Sequence, residues 1–228
     1  SSNEYSDLFQ KAFGNNKDSA VTDQNIRIAL ASFVRSLTPM NTPFDRFMRG
    51  ETAAISNEAK QGFNLFSGKA KCATCHFMPF FNGTVPPHFT ETEAEVLGVP
   101  SKPDTANAVI DPDVGKFTLN NAEIEKHAFK TPTVRNIALT APYMHNGVYK
   151  TLEQVIDFYN RGRGAGIGIH LENQTLPPDK LSLTEKEKVA LISFLKTLTD
   201  TTGTTSRPVR LPEIISAHGK VRQVGGRY

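Results

Sequence analysis

Several residue types and patterns are scarce in the 228-residue sequence, and each scarcity excludes a class of protein. Only two cysteines are present, so a structural zinc site, which needs about four ligands, has no second cysteine pair to draw on. No stretch approaches the ~20 apolar residues of a membrane helix, so we expect no membrane insertion. Tryptophan is absent beside fifteen phenylalanines, an aromatic balance suited to packing around a flat apolar group.

The overall composition is that of a globular chain, but its charge is unevenly placed. Hydrophobic residues make up 38% and charged residues 21%, enough apolar mass to bury a core. The net charge is +3, whereas residues 203–228 alone hold five basic residues against Glu213. No basic helix accompanies this excess, so we expect no nucleic-acid partner. We interpret residues 203–228 as a basic C-terminal tail that wraps the surface or meets an acidic partner.

Helical periodicity is the main secondary-structure signal, and strand signals and internal repeats are scarce. Apolar residues recur at helical spacing over residues 22–37, and a second helix should begin at Ser56 and end at Gly68. Thr151 and Thr184 each open a capping box followed by an apolar helical face. Residues 77–130 are rich in proline and glycine, which predicts a long loop of the kind that wraps a ligand. The sequence therefore predicts a mainly α fold.

Cys72-Ala-Thr-Cys75-His76 matches the Cys-x-x-Cys-His signature for attachment of haem c. Two thiols three positions apart on a helical turn can reach the two vinyl groups of one porphyrin. The adjacent histidine then supplies the proximal nitrogen to the iron. The motif therefore predicts one covalent haem c, bound through Cys72 and Cys75 and ligated by His76.

Two other interpretations of the cysteine pair fit the sequence less well. A thioredoxin-like dithiol follows a strand in a βαβ unit, and no such pattern precedes Cys72. A zinc site would have to recruit His76, His88 or His127 without a known spacing. Because haem c is assembled outside the cytoplasm in bacteria, the motif also implies a periplasmic or otherwise exported protein.

Two neighbouring segments give the sequence a family resemblance. Phe129-Lys-Thr-Pro-Thr-Val-Arg-Asn136 and Leu139-Thr-Ala-Pro-Tyr-Met-His-Asn-Gly147 closely resemble the bacterial di-haem cytochrome c peroxidase and MauG family. Residues 22–37, 41–47 and 62–76 agree with the same family. The resemblance implies a cytochrome c-like haem domain with long loops wrapping the haem. It divides the chain into a helical lead-in and interdomain segment at 1–50, a haem domain at 51–202 and the tail at 203–228.

The same resemblance implies a partner domain. Family members carry two Cys-x-x-Cys-His motifs, and this sequence has one, which resembles the second. We therefore expect the chain to be the electron-transfer half of a haem oxidoreductase. It would relay electrons between a donor protein, or a protein substrate, and a peroxidatic haem in an N-terminal domain. The alternative is a stand-alone mono-haem cytochrome c, and a second motif upstream in the parent gene would distinguish the two. A second copy of the chain is a further candidate partner.

The sixth iron ligand has several candidates in the sequence. They are Met78, Met144, Tyr159, His127, His145, His170 and His218. The family places a methionine ligand on the helix opened here by Thr151, and counting along it leads to Tyr159, as in the MauG branch. Met144 is the alternative ligand, and a buried Tyr159 bonded to another group is the structural alternative. A phenolate is a hard anionic donor, which favours ferric and higher oxidation states.

Three further assignments depend on the resemblance. Thr140 and Pro142 match positions whose backbone carbonyls bind an interdomain calcium in the family. Arg135 is a candidate partner for a haem propionate, since a guanidinium matches carboxylate geometry, with a surface salt bridge as its alternative. His145 lies in a turn that faces the interdomain region in relatives, on a candidate path for electrons or protons.

Overall fold

The computed structural model describes residues 3–14, 20–37 and 39–202. The predicted tail at 203–228 and the candidate ligand His218 lie outside these residues. Contacts divide the chain into two compact units, one of which spans Pro39–Thr201. This unit begins before the predicted division at residue 50 because Phe44 of the supposed interdomain segment is buried in its core.

The described residues before 38 form two helices of the other unit, α1 (Asn3–Phe13) and α2 (Asp23–Ser36). Thr22 caps α2, because its hydroxyl accepts a hydrogen bond from the Asn25 amide at 3.1 Å. The predicted helix at 22–37 is therefore confirmed. Its apolar residues Leu30 and Phe33 are both 61% exposed.

The unit Pro39–Thr201 is mainly helical, as predicted. Its helices are α3 (Pro43–Met48), α4 (Asn57–Ser67), α5 (Phe117–Asn120), α6 (Leu152–Asn160) and α7 (Glu185–Lys196). Four short 3₁₀ turns lie between them, at Cys72–Thr74, Glu123–Glu125, Ile137–Leu139 and Ala165–Ile167. The capping boxes of Thr151 and Thr184 both form as predicted, and Ser56 caps α4. Among the described residues, no helix is long and apolar enough to cross a membrane.

The main core lies where α4 packs on α7. Gly62 makes the close approach of these helices possible, because a Cβ there would lie 1.9 Å from the carbonyl oxygen of Ala190. Around this crossing, phenylalanine rings meet edge to face or tilted, with centroids 4.8–6.3 Å apart. These rings belong to Phe44, Phe47, Phe63, Phe81 and Phe194. The many phenylalanines therefore build the core that supports the turn after α4.

The long segment predicted as loop contains a small sheet. Strand β1 (Ala94–Val96) pairs antiparallel with β2 (Ala128–Lys130), with Glu95 opposite Phe129. Each strand has three residues, too few for an alternating pattern to be visible in the sequence. The pairing brings Glu95, far along the chain from His76, towards the cysteine motif.

A second apolar cluster lies on the other side of α6. Leu152 and Ile156 belong to the main core, whereas Phe158 belongs to the second cluster with Tyr149, Ile167 and other buried residues. Tyr159 packs against both clusters. The last turn of α6 thus lies between the two apolar clusters, which places Tyr159 in the interior.

Candidate haem site

The cysteine motif lies on a single tight turn directly after α4. Gly68 ends the helix, and Lys71 adopts a left-handed conformation with φ of 56° before the 3₁₀ turn Cys72–Thr74. The His76 amide donates to the Cys72 carbonyl oxygen at 3.0 Å, which closes one helical turn across the motif. The motif's two thiols and its imidazole are therefore held together by local backbone hydrogen bonds.

His76 is oriented by the backbone. Its Nδ1 lies 3.2 Å from the carbonyl oxygen of Phe81. Burial lowers the pKa of His76, although hydrogen bonds to the carbonyls of Phe81 and Pro132 oppose the decrease. The imidazole is therefore neutral at pH 7. An imidazole that donates Nδ1–H to a carbonyl presents Nε2 as a metal ligand, which is the usual arrangement at metal sites.

Both cysteines are free thiols, and neither is exposed. Burial raises the pKa of Cys72 to about 12, and burial together with Glu95 raises the pKa of Cys75 to about 11. Cys75 Sγ lies 3.6 Å from a carboxylate oxygen of Glu95. Two neutral thiols on one turn, without a disulfide between them, fit the attachment of a porphyrin.

A zinc site remains incomplete among the described residues. Cys75, Glu93 and Glu95 place three ligand atoms within 4.8 Å of one another, but this group contains neither Cys72 nor His76. A structural zinc ion takes about four ligands, mostly sulfur and nitrogen. The chemistry of this group therefore does not favour zinc.

Tyr159 lies close to the cysteine motif, although it is distant in sequence. Burial raises the pKa of Tyr159, and the negative charges that Cys72 and Cys75 would carry raise it further. Its ring contacts Phe158 at a centroid distance of 5.6 Å. The sequence analysis named Tyr159 as the first candidate for the sixth ligand, and the structure brings it to the cysteines.

The other candidate ligands differ in position. Met144 is partly buried, has a φ of 68° and packs on the same second cluster as Tyr159. Met78 is 45% exposed. His127 and His145 make hydrogen bonds elsewhere, to the Asp113 carbonyl and the Asp111 carboxylate, and His170 is exposed. Met144 is thus the one alternative among the described candidates that shares the surroundings of Tyr159.

Arg135 does not face a free anion. Its guanidinium pairs with both carboxylate oxygens of Asp45 at 2.8 and 2.9 Å. Its remaining donors reach the carbonyls of Pro39 and Pro79. All five N–H groups are used, so none is left for a haem propionate. The alternative in the sequence analysis, an ion pair, is the arrangement present, and it is buried rather than on the surface because the side chain of Arg135 is 3% exposed.

Thr140 and Pro142 follow the 3₁₀ turn Ile137–Leu139, and both are exposed. Among the described residues, neither carbonyl oxygen accepts a hydrogen bond. Both remain geometrically free to bind a cation. This arrangement is compatible with the calcium site that the family resemblance implies.

Arg163 and Glu93 are polar residues at the site that the sequence analysis missed. Arg163 is 3% exposed, and its guanidinium carbon lies 5.8 Å from the centroid of the Tyr159 ring. Arg163 Nε and Glu93 Oε2 are buried, and neither has a hydrogen-bond partner among the residues that the structure describes. The signal for Arg163 was available in the sequence, since a large cation between Gly162 and Gly164 is unusual. An unpaired cationic donor beside the cysteines fits a cofactor that carries negative groups.

Most of the chain is similar in sequence to known peroxidases and MauG proteins. A family model described as di-haem cytochrome c peroxidase matches residues 1–53. A cytochrome-c peroxidase, IdrP2 of Pseudomonas sp. (strain SCT), is 35% identical over 215 residues, covering 86% of this chain and 53% of that protein. The methylamine utilization protein MauG of Methylorubrum extorquens is 34% identical over 194 residues, covering 85% of this chain and 49% of that protein.

Solved structures give the same assignment. A MauG-like protein associated with microbial copper homeostasis matches with a TM-score of 0.68 and 30% identity, covering 86% of this chain and 59% of that one. The diheme peroxidase BthA of Burkholderia thailandensis, at 20% identity and a TM-score of 0.58, shares the fold and covers 89% of this chain and 58% of that one. The chain spans about half the length of the curated relatives it matches.

The fold is mainly helical and cytochrome c-like, and its Cys-x-x-Cys-His motif lies on the turn after α4. The chain belongs to the family of di-haem cytochrome c peroxidases and MauG proteins.

Proposed function

We propose that this chain is the electron-transfer haem c domain of a di-haem cytochrome c peroxidase or MauG-like oxidoreductase. The observation that carries the proposal is that Cys72, Cys75 and His76 lie on one turn, while Tyr159 of α6 packs against the same core cluster as Cys72. In the whole protein, the domain would relay electrons between a donor or substrate and a peroxidatic haem in an N-terminal domain. The chain covers about half the length of these relatives, which supports a partner domain of similar size.

Each residue of the site has one task in this proposal. Cys72 and Cys75 form the two thioether bonds, which hold the cofactor covalently. His76 supplies Nε2 to the iron, and the Phe81 carbonyl fixes its ring. Haem c, once bound, supplies one-electron chemistry. The apolar clusters on either side of α6 keep water away from the iron-facing side chains.

Tyr159 is our proposed sixth ligand. Its position at the end of α6, between the two clusters and beside both cysteines, supports this assignment. An anionic oxygen ligand stabilises ferric iron more than a thioether does. The domain would then be suited to sharing an oxidised state with a partner haem, and to oxidising a protein or small-molecule substrate. Met144 remains the alternative ligand.

The remaining assignments follow from the family and the cofactor. The periplasm is the proposed location, because bacteria attach haem c outside the cytoplasm. We also propose that the carbonyls of Thr140 and Pro142 contribute to an interdomain calcium site. Their free carbonyl oxygens support this role.

Covalent haem attachment is the direct test of the proposal. A denatured, acid-extracted sample should keep its haem, and its pyridine haemochrome spectrum should be that of haem c. Cys72→Ala or Cys75→Ala should give mostly unfolded protein without covalent haem. Thr74→Ala, an exposed change on the same turn, is the matched control and should keep the haem. Haem that moves to the organic phase from the unmodified chain would refute the proposal.

A further inference from the structure

Arg163 is a buried cation that the protein around it does not fully satisfy. It is 3% exposed, and one of its terminal N–H groups donates to the Pro177 carbonyl. Its Nε has no partner within the described part of the chain. A buried donor without a partner costs about 1–3 kcal/mol, and more when the group is charged. An unsatisfied buried group of this kind is uncommon in native proteins and often marks a functional site.

The backbone around Arg163 is closely packed and adopts an uncommon conformation. The residue adopts a left-handed conformation, with φ of 62°, which is uncommon for a residue other than glycine, asparagine or aspartate. Its two neighbours pack too closely for any side chain: a Cβ at Gly162 would lie 2.1 Å from the Pro178 carbonyl oxygen, and one at Gly164 would lie 2.6 Å from that of Gly98. The Arg163 amide also donates to the Phe158 carbonyl at 3.0 Å, which attaches it to the end of α6. Strain of this kind is concentrated at functional sites.

The guanidinium lies beside the proposed iron ligand. Its central carbon is 5.8 Å from the centroid of the Tyr159 ring, within the range of cation–π contact. Burial lowers the pKa of Arg163, while Tyr159, Cys75, Cys72 and Asp179 oppose the decrease. An arginine remains charged under these conditions. The positive charge therefore lies next to the tyrosine and the two haem-binding cysteines.

We propose that Arg163 is a positioning residue for Tyr159: it holds the tyrosine ring and supplies the positive charge that an anionic oxygen ligand needs in a buried site. The inference rests on the proposed function, in which Tyr159 binds the iron. In this role, the buried charge of Arg163 acts on the cofactor site. A nearby positive charge favours the ionised form of the phenol, which is the form that would bind iron.

Removal of the Arg163 charge should change the reduction potential of the haem. A buried positive charge near the iron disfavours the ferric state, so its removal should lower the midpoint potential. Salt screens such a buried charge only weakly, whereas a charge on the surface is screened strongly. The effect should therefore come from Arg163 and not from an exposed arginine close to it in sequence.

The experiment compares three variants of the haem-loaded chain by redox titration and by ferric EPR. Arg163→Gln should lower the midpoint potential and change the ferric EPR signal. Arg163→Lys should keep most of the potential, because it keeps the charge. Arg161→Gln removes the same charge from an exposed position two residues away and should leave both readouts unchanged. If Arg163→Gln shifts the potential no more than Arg161→Gln does, the proposal is wrong.

Two further measurements test whether Arg163 acts through Tyr159. In a Tyr159→Phe background, Arg163→Gln should lose its effect on the ferric spectrum. An unchanged effect would refute the link between Arg163 and Tyr159, but it would leave the proposed covalent haem c intact. If Arg163→Gln gives too little haem protein, Arg163→Lys decides, because an ammonium cannot reproduce a planar guanidinium over the ring. Its ferric spectrum must then differ from that of the unmodified chain, and an identical spectrum would overturn the proposal.

Discussion

At the scale of single residues, the proposed site depends on side chains from separate elements of the fold. His76 comes from the turn after α4, whereas Tyr159 comes from the last turn of α6. Their local settings differ, because a backbone carbonyl holds His76 and apolar packing holds Tyr159. The two candidate oxygen and sulfur ligands, Tyr159 and Met144, share one cluster, so substitution can separate them.

Tyr159→Phe and Met144→Leu should have opposite consequences for the ferric spectrum. Loss of the phenol oxygen removes a ligand, so Tyr159→Phe should open a coordination position that cyanide can occupy. Met144→Leu conserves volume and should leave the spectrum unchanged. The unmodified ferric protein should also lack the long-wavelength charge-transfer band of methionine ligation. If Met144→Leu abolishes six-coordination and Tyr159→Phe does nothing, the methionine is the ligand.

The buried pair of Asp45 and Arg135 predicts an acid-sensitive contribution to stability. Burial acts to raise the pKa of Asp45, but hydrogen bonds from Arg135 and Thr42 outweigh it and lower the pKa below its usual value. The pair therefore contributes fully above pH ~4, where an unfolded aspartate is ionised, and is lost as the pH falls through the lowered pKa.

Asp45→Asn should lower the free energy of unfolding by about 3 kcal/mol at pH 7, because it leaves Arg135 buried without its counter-charge. It should also flatten the dependence of stability on pH in the acid range. Denaturant unfolding at several pH values measures both effects. The control is Asp23→Asn, which breaks an exposed pair with Arg27 and should change stability by less than about 1 kcal/mol. Equal effects of the two substitutions would contradict the assignment.

At the scale of elements, local signals predicted the helices well. The capping residues Thr22, Ser56, Thr151 and Thr184 were all found where their helices begin, because a cap bonds to an amide three residues away. The strands β1 and β2 were missed because three-residue strands carry little pattern and depend on a distant partner. The sequence analysis offered an ion pair as the alternative for Arg135, but it could not identify the partner because Asp45 lies 90 positions away.

The close crossing of α4 and α7 should make the protein sensitive to a side chain at Gly62. Gly62→Ala should destabilise the protein by more than about 1 kcal/mol, because the new methyl group would overlap the Ala190 carbonyl and force the helices apart. A loss of stability would be informative, because alanine in a helix interior is otherwise more stable than glycine by about 0.5–1 kcal/mol. Gln61→Ala, at the exposed neighbouring position, is the control for denaturant unfolding. A stabilised Gly62→Ala variant would mean that the helices pack less closely.

At the scale of the whole molecule, the proposed site predicts that the isolated chain has little peroxidase activity. The curated relatives are about twice as long, and the proposed division of labour assigns cleavage of the O–O bond to their other domain. If His76 and Tyr159 both bind the iron, as proposed, they leave no coordination position for peroxide. The haem-loaded chain should therefore show little peroxidase turnover with hydrogen peroxide, measured with a reducing dye at saturating peroxide.

Tyr159→Phe is the matched variant, and it should react faster because it frees one position. Vigorous turnover by a homogeneous, unmodified sample would mean that this haem is itself five-coordinate and peroxidatic, which would place the catalytic step in this chain.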